Sequence, residues 1–466
     1  MVSSFYSKCK REIDTCPRME YNVANLRVKF QFIGQLDRGN RPPHYHVIAS
    51  QSSDWRGNLL RFQGKYADLI GIATPECTLV RDDMRFKNCP TNSNLTYIHE
   101  ERIFMQIVKD RRALHAIPEL EWQLPKTMEY LKTSLKPLNC RVFDPAEGAL
   151  CVFFDFGAED AIAFRADCDA LPIGEKNDAS YASRHPGQMH ACGHDGHMAV
   201  LLELARRLSE KETLPHNVLL VFQPGEESPG GAKEICETGV FEKYRVGAIF
   251  GLHLWPGVEA GRVFSRREEL MSRSCEVNVD VYGKSAHIAK AAEGIDALTA
   301  GVEFYRRAVA MEQALPAHVF RLLKFGRFQS GMVRNALSEH THIEGSLRAF
   351  QDDTFFHLRR GLDAIATEVE REFGCKVSVS ANEGYPAVLN PSDLYDRVKA
   401  VADFEELAEP SMTSEDFSWY QRYIPGMFFF LGLGDTPALH ADNFDFDDSI
   451  LAKGADFFEQ LAEKIR

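Results

Sequence analysis

The chain has 466 residues, of which 44% are hydrophobic and 26% are charged, and its formal net charge is −13. A chain of this length is expected to fold into two or three domains. Its acidity argues against a nucleic-acid partner and against an anionic membrane surface. The charge is uneven, because residues 1–97 hold 14 Lys and Arg against 9 Asp and Glu, a balance of +5, which leaves −18 for residues 98–466. We therefore expect a break in organisation near residue 97.

Cysteine usage and hydropathy indicate the compartment. Eleven scattered cysteines, an odd number, are typical of reduced thiols in a cytosolic protein rather than of a disulfide framework. The first residues lack the apolar run of a signal peptide, and no segment reaches the roughly 18 apolar residues of a membrane span. We expect a soluble, cytoplasmic protein with no membrane partner.

From residue 98 onward, helical periodicity alternates with short apolar runs. Residues 98–136 are predicted to be helical, with a break at Pro118. The elements predicted next are strands at 151–156 and 161–167, a helix at 197–208, and strands at 217–224 and 246–254. This alternation is typical of an α/β domain with a largely parallel sheet, in which chemistry is carried at the carboxyl ends of the strands.

Near residue 275 the pattern changes to the period of two of an antiparallel strand with one solvent face. The elements predicted here are strands at 275–283, 341–349 and 376–383, with helices at 296–314 and 354–373. After residue 385 the α/β pattern returns, and it includes a predicted strand at 427–434. The sequence therefore predicts an N-terminal extension (1–97) and an α/β domain (98–274 and 385–466) that is interrupted by an inserted α+β domain (275–384).

The N-terminal extension gives weak signals. Residues 25–34 and 44–50 are predicted to be strands, and His44 and His46 have the H-x-H spacing of metal ligands. Two hydrogen-bonded histidines on a half-buried strand explain that spacing more simply. We assign the extension no role.

The densest chemical signal is the segment Met189–His197, MHACGHDGH, which lies between a predicted strand and a predicted helix. Its three histidines, one cysteine and one aspartate are hard to explain by packing alone. Gly193 and Gly196 allow the backbone to bend, so that Cys192 and His194 can converge on one point. Thiolate and imidazole suit Zn²⁺, and imidazole also suits Mn²⁺, Co²⁺ and Ni²⁺. We favour a metal site over a polar helix cap.

A second cluster, Gln223–Ser228, follows the predicted strand 217–224 and contains Glu226 and Glu227. Adjacent carboxylates on an irregular turn point in different directions, so one can bind a metal while the other moves a proton. A glutamate pair by itself is more typical of a solvated loop. Because this pair follows a buried strand, we give a functional role of Glu226 and Glu227 the same weight as a structural one.

Two further histidines follow predicted strands. His253 ends the strand 246–254, and His440 precedes the acidic run 442–448. A single histidine at a strand end is more often structural than a metal ligand, and an acidic run is often a solvated helix start. Taken with Cys192 and the glutamate pair, however, these segments supply the donor types of one metal centre from the strand ends of one sheet.

At this point the sequence resembles a known family. From about residue 98 to residue 466 it is similar to the branch of the dinuclear metallopeptidases that contains aminoacylases, hippurate hydrolases, N-acetyl-diaminopimelate deacetylases and auxin-conjugate amidohydrolases. The motifs that carry the resemblance are LH (114–115), PEL (118–120), FRADCDALP (164–172), MHACGHDGH (189–197), PGEE (224–227), GLHLWP (251–256), GKSAH (283–287), SEDF (414–417) and LHADNFDFDD (439–448).

The resemblance implies hydrolysis of the amide bond of an N-acyl-amino acid, which releases a carboxylate and an amino acid. Cys192 is implied to bridge two divalent metal ions, of Mn, Zn, Co or Ni. The remaining implied ligands are His194, Glu227, His253 and His440. Glu226 is the implied general base, which activates a metal-bound water and passes the proton to the leaving amine, and Asp167 and Asp195 are implied to orient ligands.

The inserted domain resembles the lid and dimerisation module of this family, so a homodimer is expected. His287 is implied to stabilise the oxyanion, often in the partner subunit's active site, and Asn335 and Arg348 are implied to hold the substrate carboxylate. The chain departs from the family in residues 288–292 and 330–338, which lack the usual prolines. Because both segments belong to the lid, the sequence leaves the acyl group and the amino acid open.

Three alternatives remain at the level of sequence. A dipeptidase would use the same metals with a pocket for a free α-amine. A non-catalytic binding protein would keep the fold, although the intact Glu226 and ligand set argue against it. A nucleophilic or redox role for Cys192 is disfavoured because a thiolate bound to metal is a poor nucleophile.

Overall fold

The computed structural model describes residues 106–466, apart from residue 383, together with the backbone of five short strands between residues 18 and 87. Residues Met1–Arg102 and Ile103–Arg466 form two compact units. The strands of the first unit are β1 (Arg18–Val23) paired with β2 (Leu26–Gln31), and a sheet of β3 (Leu60–Arg61), β4 (Thr78–Val80) and β5 (Arg85–Lys87). The predicted strand 25–34 is present in part as β2. The predicted strand 44–50, with His44 and His46, lies outside the described residues, as does the predicted helix before residue 106.

The second unit alternates helices and strands along most of its length. Its helices are α1 (106–115), α2 (Pro125–Leu135), α3 (His194–Ser209), α4 (Ala232–Glu237), α5 (Val240–Lys243), α6 (Ala297–Gln313), α7 (Asp352–Phe373), α8 (Ser392–Val401) and α9 (Leu451–Lys464). Its strands are β6 (Arg141–Phe143), β7 (Leu150–Phe154), β8 (Ala161–Asp167), β9 (Asn217–Gln223), β10 (Val246–Pro256), β11 (Val263–Ser265), β12 (Glu268–Met271), β13 (Arg273–Tyr282), β14 (Arg321–Ser330), β15 (His340–Ala349), β16 (Lys376–Ala381), β17 (Val388–Asn390), β18 (Glu405–Glu406) and β19 (Gly426–Gly434).

The largest sheet has eight strands in the order β18-β11-β19-β10-β8-β9-β7-β6. Its four central strands, β19, β10, β8 and β9, run parallel, and antiparallel pairs flank them. All residues of β8 and β9 are buried, as expected for strands with both faces covered. The carboxyl ends of β8, β9 and β10 therefore meet at one edge of the sheet. The predicted α/β class with a largely parallel sheet is confirmed.

A separate four-stranded antiparallel sheet, in the order β14-β15-β13-β16, forms the α+β module. Alternate residues of β13 are buried, including Val277, Val279 and Val281, and they share a hydrophobic cluster with residues of α6 and α7. The inserted α+β module of the predicted fold is thus present. The exact domain bounds at residues 97, 275 and 385 remain predictions.

Helix α3 begins at His194, three residues earlier than predicted. Gly193 adopts a left-handed conformation (φ 88°) that starts the helix. Gly196 lies against the sheet, since a Cβ there would come within 2.6 Å of Leu254 Cδ1. The early start places His194 in the first turn of the helix. Among the described helices, none is long and apolar enough to cross a membrane.

Candidate metal centre

The five side chains predicted to bind metal converge in the structure. Cys192, His194 and His253 form one group whose possible ligand atoms all lie within 4.8 Å of one another, and Cys192, Glu227 and His440 form a second such group. Cys192 is the residue that the two groups share. These donors come from the turn before α3 and its first residue, from β10, and from the loops that carry Glu227 and His440.

Backbone carbonyls fix the orientation of the two buried histidines. His194 Nδ1 lies 2.8 Å from the carbonyl oxygen of Asp169, and His253 Nδ1 lies 2.7 Å from that of Leu254. Because a carbonyl only accepts, each ring carries its proton on Nδ1 and presents the lone pair of Nε2. His253 Nε2 is 3.4 Å from Cys192 Sγ, whereas the buried His194 Nε2 has no hydrogen-bond partner among the residues that the structure describes.

The unpartnered Nε2 of His194 bears on whether these residues suit a metal ion. A buried nitrogen without a partner costs free energy unless something else satisfies it. A thiol, imidazole lone pairs and a carboxylate are the donors that a divalent transition-metal ion requires. The residues therefore fit the predicted cofactor.

Glu227 and His440 meet without a hydrogen bond. Glu227 Oε1 lies 3.1 Å from His440 Nε2, but within the described part of the chain the oxygen has no partner in hydrogen-bonding geometry. His440 has a left-handed backbone (φ 65°), and its N–H donates to the carbonyl of Ala191 at 2.8 Å. A positive φ is uncommon outside glycine and asparagine, and strain of this kind is concentrated at functional sites. Burial alone would raise the pKa of Glu227, but His440 and His194 hold it below its usual value.

Asp169 holds the turn that carries both glutamates. Its carboxylate accepts the backbone N–H of Glu226 at 2.9 Å and that of Glu227 at 3.1 Å. Gly225, with φ 68°, permits the bend just before them. Asp169 was not singled out from the sequence, although its position two residues after the end of β8 was a signal that could have identified it.

Glu226 is 7% exposed and belongs to a third close group, with His194 and Glu227. Burial, and then the neighbouring carboxylates of Glu415 and Glu227, raise its pKa well above the usual value for a glutamate. The carbonyl oxygen of Glu226 accepts a hydrogen bond from the Tyr385 hydroxyl at 3.0 Å. A buried glutamate with a raised pKa is a candidate for a group that transfers protons.

Asp167 belongs to a buried network. It accepts from Arg165 Nη1 at 2.7 Å and contacts His197 Nδ1 at 2.6 Å, while its Oδ2 lies 3.7 Å from His194 Nε2. Arg165 also donates to Glu415 at 2.9 Å and Asp416 at 2.8 Å. His197 Nε2 accepts the backbone N–H of Leu254 at 2.8 Å, so both of its ring nitrogens already have partners.

Asp195, which the resemblance implies to orient ligands, contacts residues of helix α1. Its carboxylate accepts from Arg111 Nε at 2.8 Å and lies 2.8 Å from His115 Nδ1, and these two residues belong to α1 rather than to the ligand set. Arg111 is in turn paired with Asp445 at 2.8 Å and Asp448 at 3.1 Å. The acidic run 442–448 is therefore not simply a solvated helix start, because it contributes to a buried ionic network.

The predicted lid residues lie on the inserted module. His287 and Asn335 are exposed, and their loops are joined by a hydrogen bond from the Ile288 N–H to the Asn335 carbonyl at 3.0 Å. Arg348 is partly buried and donates to the carbonyl of Met412 at 2.6 Å. Burial lowers the pKa of Arg348, and no carboxylate among the described residues pairs with it. The contacts of these three side chains do not include the five ligand residues.

Comparison with known proteins places the chain in a family. Residues 163–464 match Peptidase family M20/M25/M40, so the chain belongs to this family, and the predicted family resemblance is confirmed. An uncharacterized hydrolase of Staphylococcus haemolyticus is 33% identical over 370 residues, which cover 76% of this chain and 97% of the relative.

Two crystal structures extend the comparison. A candidate aminohydrolase from methicillin-resistant Staphylococcus aureus has 28% identity and a TM-score of 0.73, with 80% of this chain and 98% of that chain covered. The YXEP protein of Bacillus subtilis, a dinuclear metal-binding peptidase of the M20 family, has 27% identity and a TM-score of 0.68, with 78% of this chain and 98% of that chain covered.

Proposed function

We propose that this chain is a metal-dependent amidohydrolase that cleaves the amide bond of an N-acyl-amino acid. The proposed ligands of two divalent cations, of Mn, Zn, Co or Ni, are Cys192, His194, Glu227, His253 and His440. Membership of the M20 family supports hydrolysis, and similarity to a dinuclear metal-binding peptidase supports a pair of ions.

One observation carries the proposal. Among the described residues, the buried Nε2 of His194 has no hydrogen-bond partner, and a ring nitrogen of His194 lies within 4.8 Å of Cys192 Sγ. Cys192 belongs to both groups of possible ligands. A thiolate common to two ligand groups is the arrangement that a bridging ligand requires. When bound, the cations would supply a Lewis acid that polarises the acyl oxygen and acidifies water.

The protein's own groups would move the proton. Glu226 takes a proton from the attacking water while the oxygen of that water forms a bond to the acyl carbon. When the carbon–nitrogen bond breaks, Glu226 delivers that proton to the leaving amine, so the products are a carboxylate and an amino acid. Asp169 and Tyr385 support this role because they hold the backbone of Glu226 on both sides.

Lid residues would recognise the substrate. Arg348 is proposed to bind the substrate carboxylate with its planar guanidinium, and its lack of an acidic partner among the described residues supports an anionic ligand. Asn335 is proposed to assist this contact. His287 is proposed to stabilise the oxyanion, and its Nδ1 already accepts the N–H of Ala289 at 3.2 Å, which leaves the ring proton on Nε2.

The inserted module is also proposed to mediate a homodimer. The solvent side of α6 carries Leu298, Val302 and Tyr305, which are 45%, 51% and 42% exposed and lie on one stripe of the helix. Strand β14 is an edge strand of its sheet, and an unpaired edge can pair with a second copy. Sedimentation velocity should show a dimer that Val302→Glu weakens. The control Thr133→Glu, which adds the same charge at an exposed position of α2 outside the inserted module, should leave the dimer intact. A wild-type monomer would contradict the proposal.

A substrate screen tests the activity. N-acetyl, N-benzoyl and longer N-acyl amino acids, together with dipeptides, should be assayed with each of the four metals. We expect hydrolysis of at least one N-acyl-amino acid, with loss of activity in Glu226→Gln. Preferential cleavage of dipeptides would instead identify a dipeptidase, and no hydrolysis by protein with a full metal content would contradict an enzymatic role.

A further inference from the structure

A second cluster of metal-binding side chains lies on the sheet of the inserted module. Asp280 of β13 and His342 of β15 are directly opposite each other in the antiparallel register, and His340 is two residues before His342. Because the side chains of a strand alternate between its faces, all three project from the same face. Val279 and Ile343, with the opposite orientation, are fully buried. The cluster therefore stands on the face away from the module's core.

The rings of the two histidines are turned toward one point. His340 Nε2 and His342 Nδ1 each lie 2.8 Å from the same oxygen, Oδ1 of Asp280. The possible ligand atoms of the three residues all lie within 4.8 Å of one another. Two neutral imidazoles and one carboxylate form a donor set that zinc, nickel and copper ions prefer.

Neighbouring residues hold these rings in place. Glu344 Oε1 lies 3.0 Å from His342 Nε2, which is the carboxylate–histidine pairing that orients metal ligands elsewhere. The Tyr282 ring stacks on His340, with 5.0 Å between ring centroids and an interplanar angle of 19°. Both contacts favour the ring orientation that directs a nitrogen toward Asp280.

We propose that Asp280, His340 and His342 form an additional binding site for a divalent cation of the zinc class, separate from the proposed catalytic centre. Ligand atoms around a tetrahedral zinc ion lie roughly 3.3 Å apart, given zinc–nitrogen bonds of about 2.0 Å. The 2.8 Å contacts would therefore open by about half an ångström. The side chains of His340 and Asp280 are 46% and 27% exposed, so small rotations can provide that change. The fourth position faces solvent.

Such a cation would join two strands of the module. Binding only to the folded state stabilises it by an amount that grows with the free cation concentration. Zinc should therefore raise the melting temperature of the protein even when the catalytic centre is already full. Manganese, which prefers more oxygen donors, should do so much less.

Zinc titration of the full-length, zinc-loaded enzyme tests the site. Isothermal titration at mildly alkaline pH should detect one further Zn²⁺ in the wild type and in the control His318→Gln, which changes an exposed histidine outside the cluster. The double variant His340→Gln/His342→Gln should lose at least tenfold in affinity for this ion. Its far-UV circular dichroism and its N-acyl-amino acid hydrolysis should be unchanged.

Asp280→Asn provides a milder second variant, which should bind the same ion more weakly while preserving the fold. Equal binding of the additional Zn²⁺ by the wild type, the control and both cluster variants would overturn the proposal. That result would assign these residues to a surface hydrogen-bond network alone. The outcome does not depend on the proposed catalytic activity, because the titration reports binding rather than turnover.

Discussion

Replacing Asp169 with asparagine tests how the proton-transferring glutamate is held in place. The Asp169 carboxylate accepts two successive backbone N–H groups, those of Glu226 at 2.9 Å and Glu227 at 3.1 Å. An asparagine has almost the same shape, but only its oxygen can accept. Its amide nitrogen would therefore face one of the two N–H groups as a second donor.

The cost can be estimated from that mismatch. A buried donor left without a partner costs about 1–3 kcal/mol. If the turn that carries Glu226 moves to avoid that cost, Glu226 is displaced and the stabilisation of the transition state falls by a similar amount. The corresponding loss in kcat is roughly 5- to 150-fold at room temperature.

Steady-state kinetics on the best N-acyl-amino acid from the screen would measure the effect, with metal content determined by elemental analysis. The matched control is Asp155→Asn, an exposed residue whose carboxylate accepts only the local Gly157 N–H at 2.9 Å. We expect the control to retain wild-type kcat. A folded, fully metal-loaded Asp169→Asn enzyme with wild-type kcat would refute the reasoning.

Two further predictions use the same site, and a third uses the neighbouring network of Asp195 and His115. Glu226→Gln should keep both metals, but its kcat should fall at least about 100-fold. Elemental analysis of the same samples would show whether a lower kcat is due to loss of metal instead. Tyr385→Phe removes the hydroxyl that donates to the Glu226 carbonyl and should lower kcat about two- to tenfold, with KM and metal content unchanged; an equal rise in KM would contradict it. Burial alone would lower the pKa of His115, but Asp195 and Glu175 raise it to about 9. The charged His115 therefore contributes up to about 3 kcal/mol to the free energy of unfolding below pH 6.5, and this contribution is lost as the pH rises toward 9. Urea unfolding at several pH values should show this loss in the wild type but not in His115→Gln. The same pH dependence of stability in both proteins would contradict the prediction.

The residues proposed to bind metal could be picked out from the sequence because their chemistry is concentrated at strand ends. Continuous apolar runs marked β8 and β9 as central strands, and the parallel arrangement then required their carboxyl ends to meet. Cys192 and His194 stand in one short segment, so local sequence could identify them. Spacing could not link them to His440, far away in the sequence. That link rested on the donor types expected at the strand ends, and the family resemblance then implied one ligand set.

Other features depend on contacts that a single sequence does not reveal. Asp195 follows His194 directly, yet its carboxylate turns toward Arg111, because the side chains of successive helical residues point in different directions. Arg111 and Asp448 are 337 positions apart, so no local pattern could pair them. Strand β14 is an edge strand with a register shift between Phe325 and Arg327, which removes the regular alternation that would have marked it.

Measuring hydrolysis and bound metal on the same samples tests the central claim most directly. Protein stripped with a chelator should show no hydrolysis of an N-acyl-amino acid, and activity should return as Mn²⁺, Zn²⁺, Co²⁺ or Ni²⁺ is added back. Restoration should be complete at two tightly bound ions per chain, and Cys192→Ala should reduce both the number of tight ions and the recovered rate. Hydrolysis that persists in metal-free protein, or full activity of Cys192→Ala with no tightly bound metal, would contradict the account.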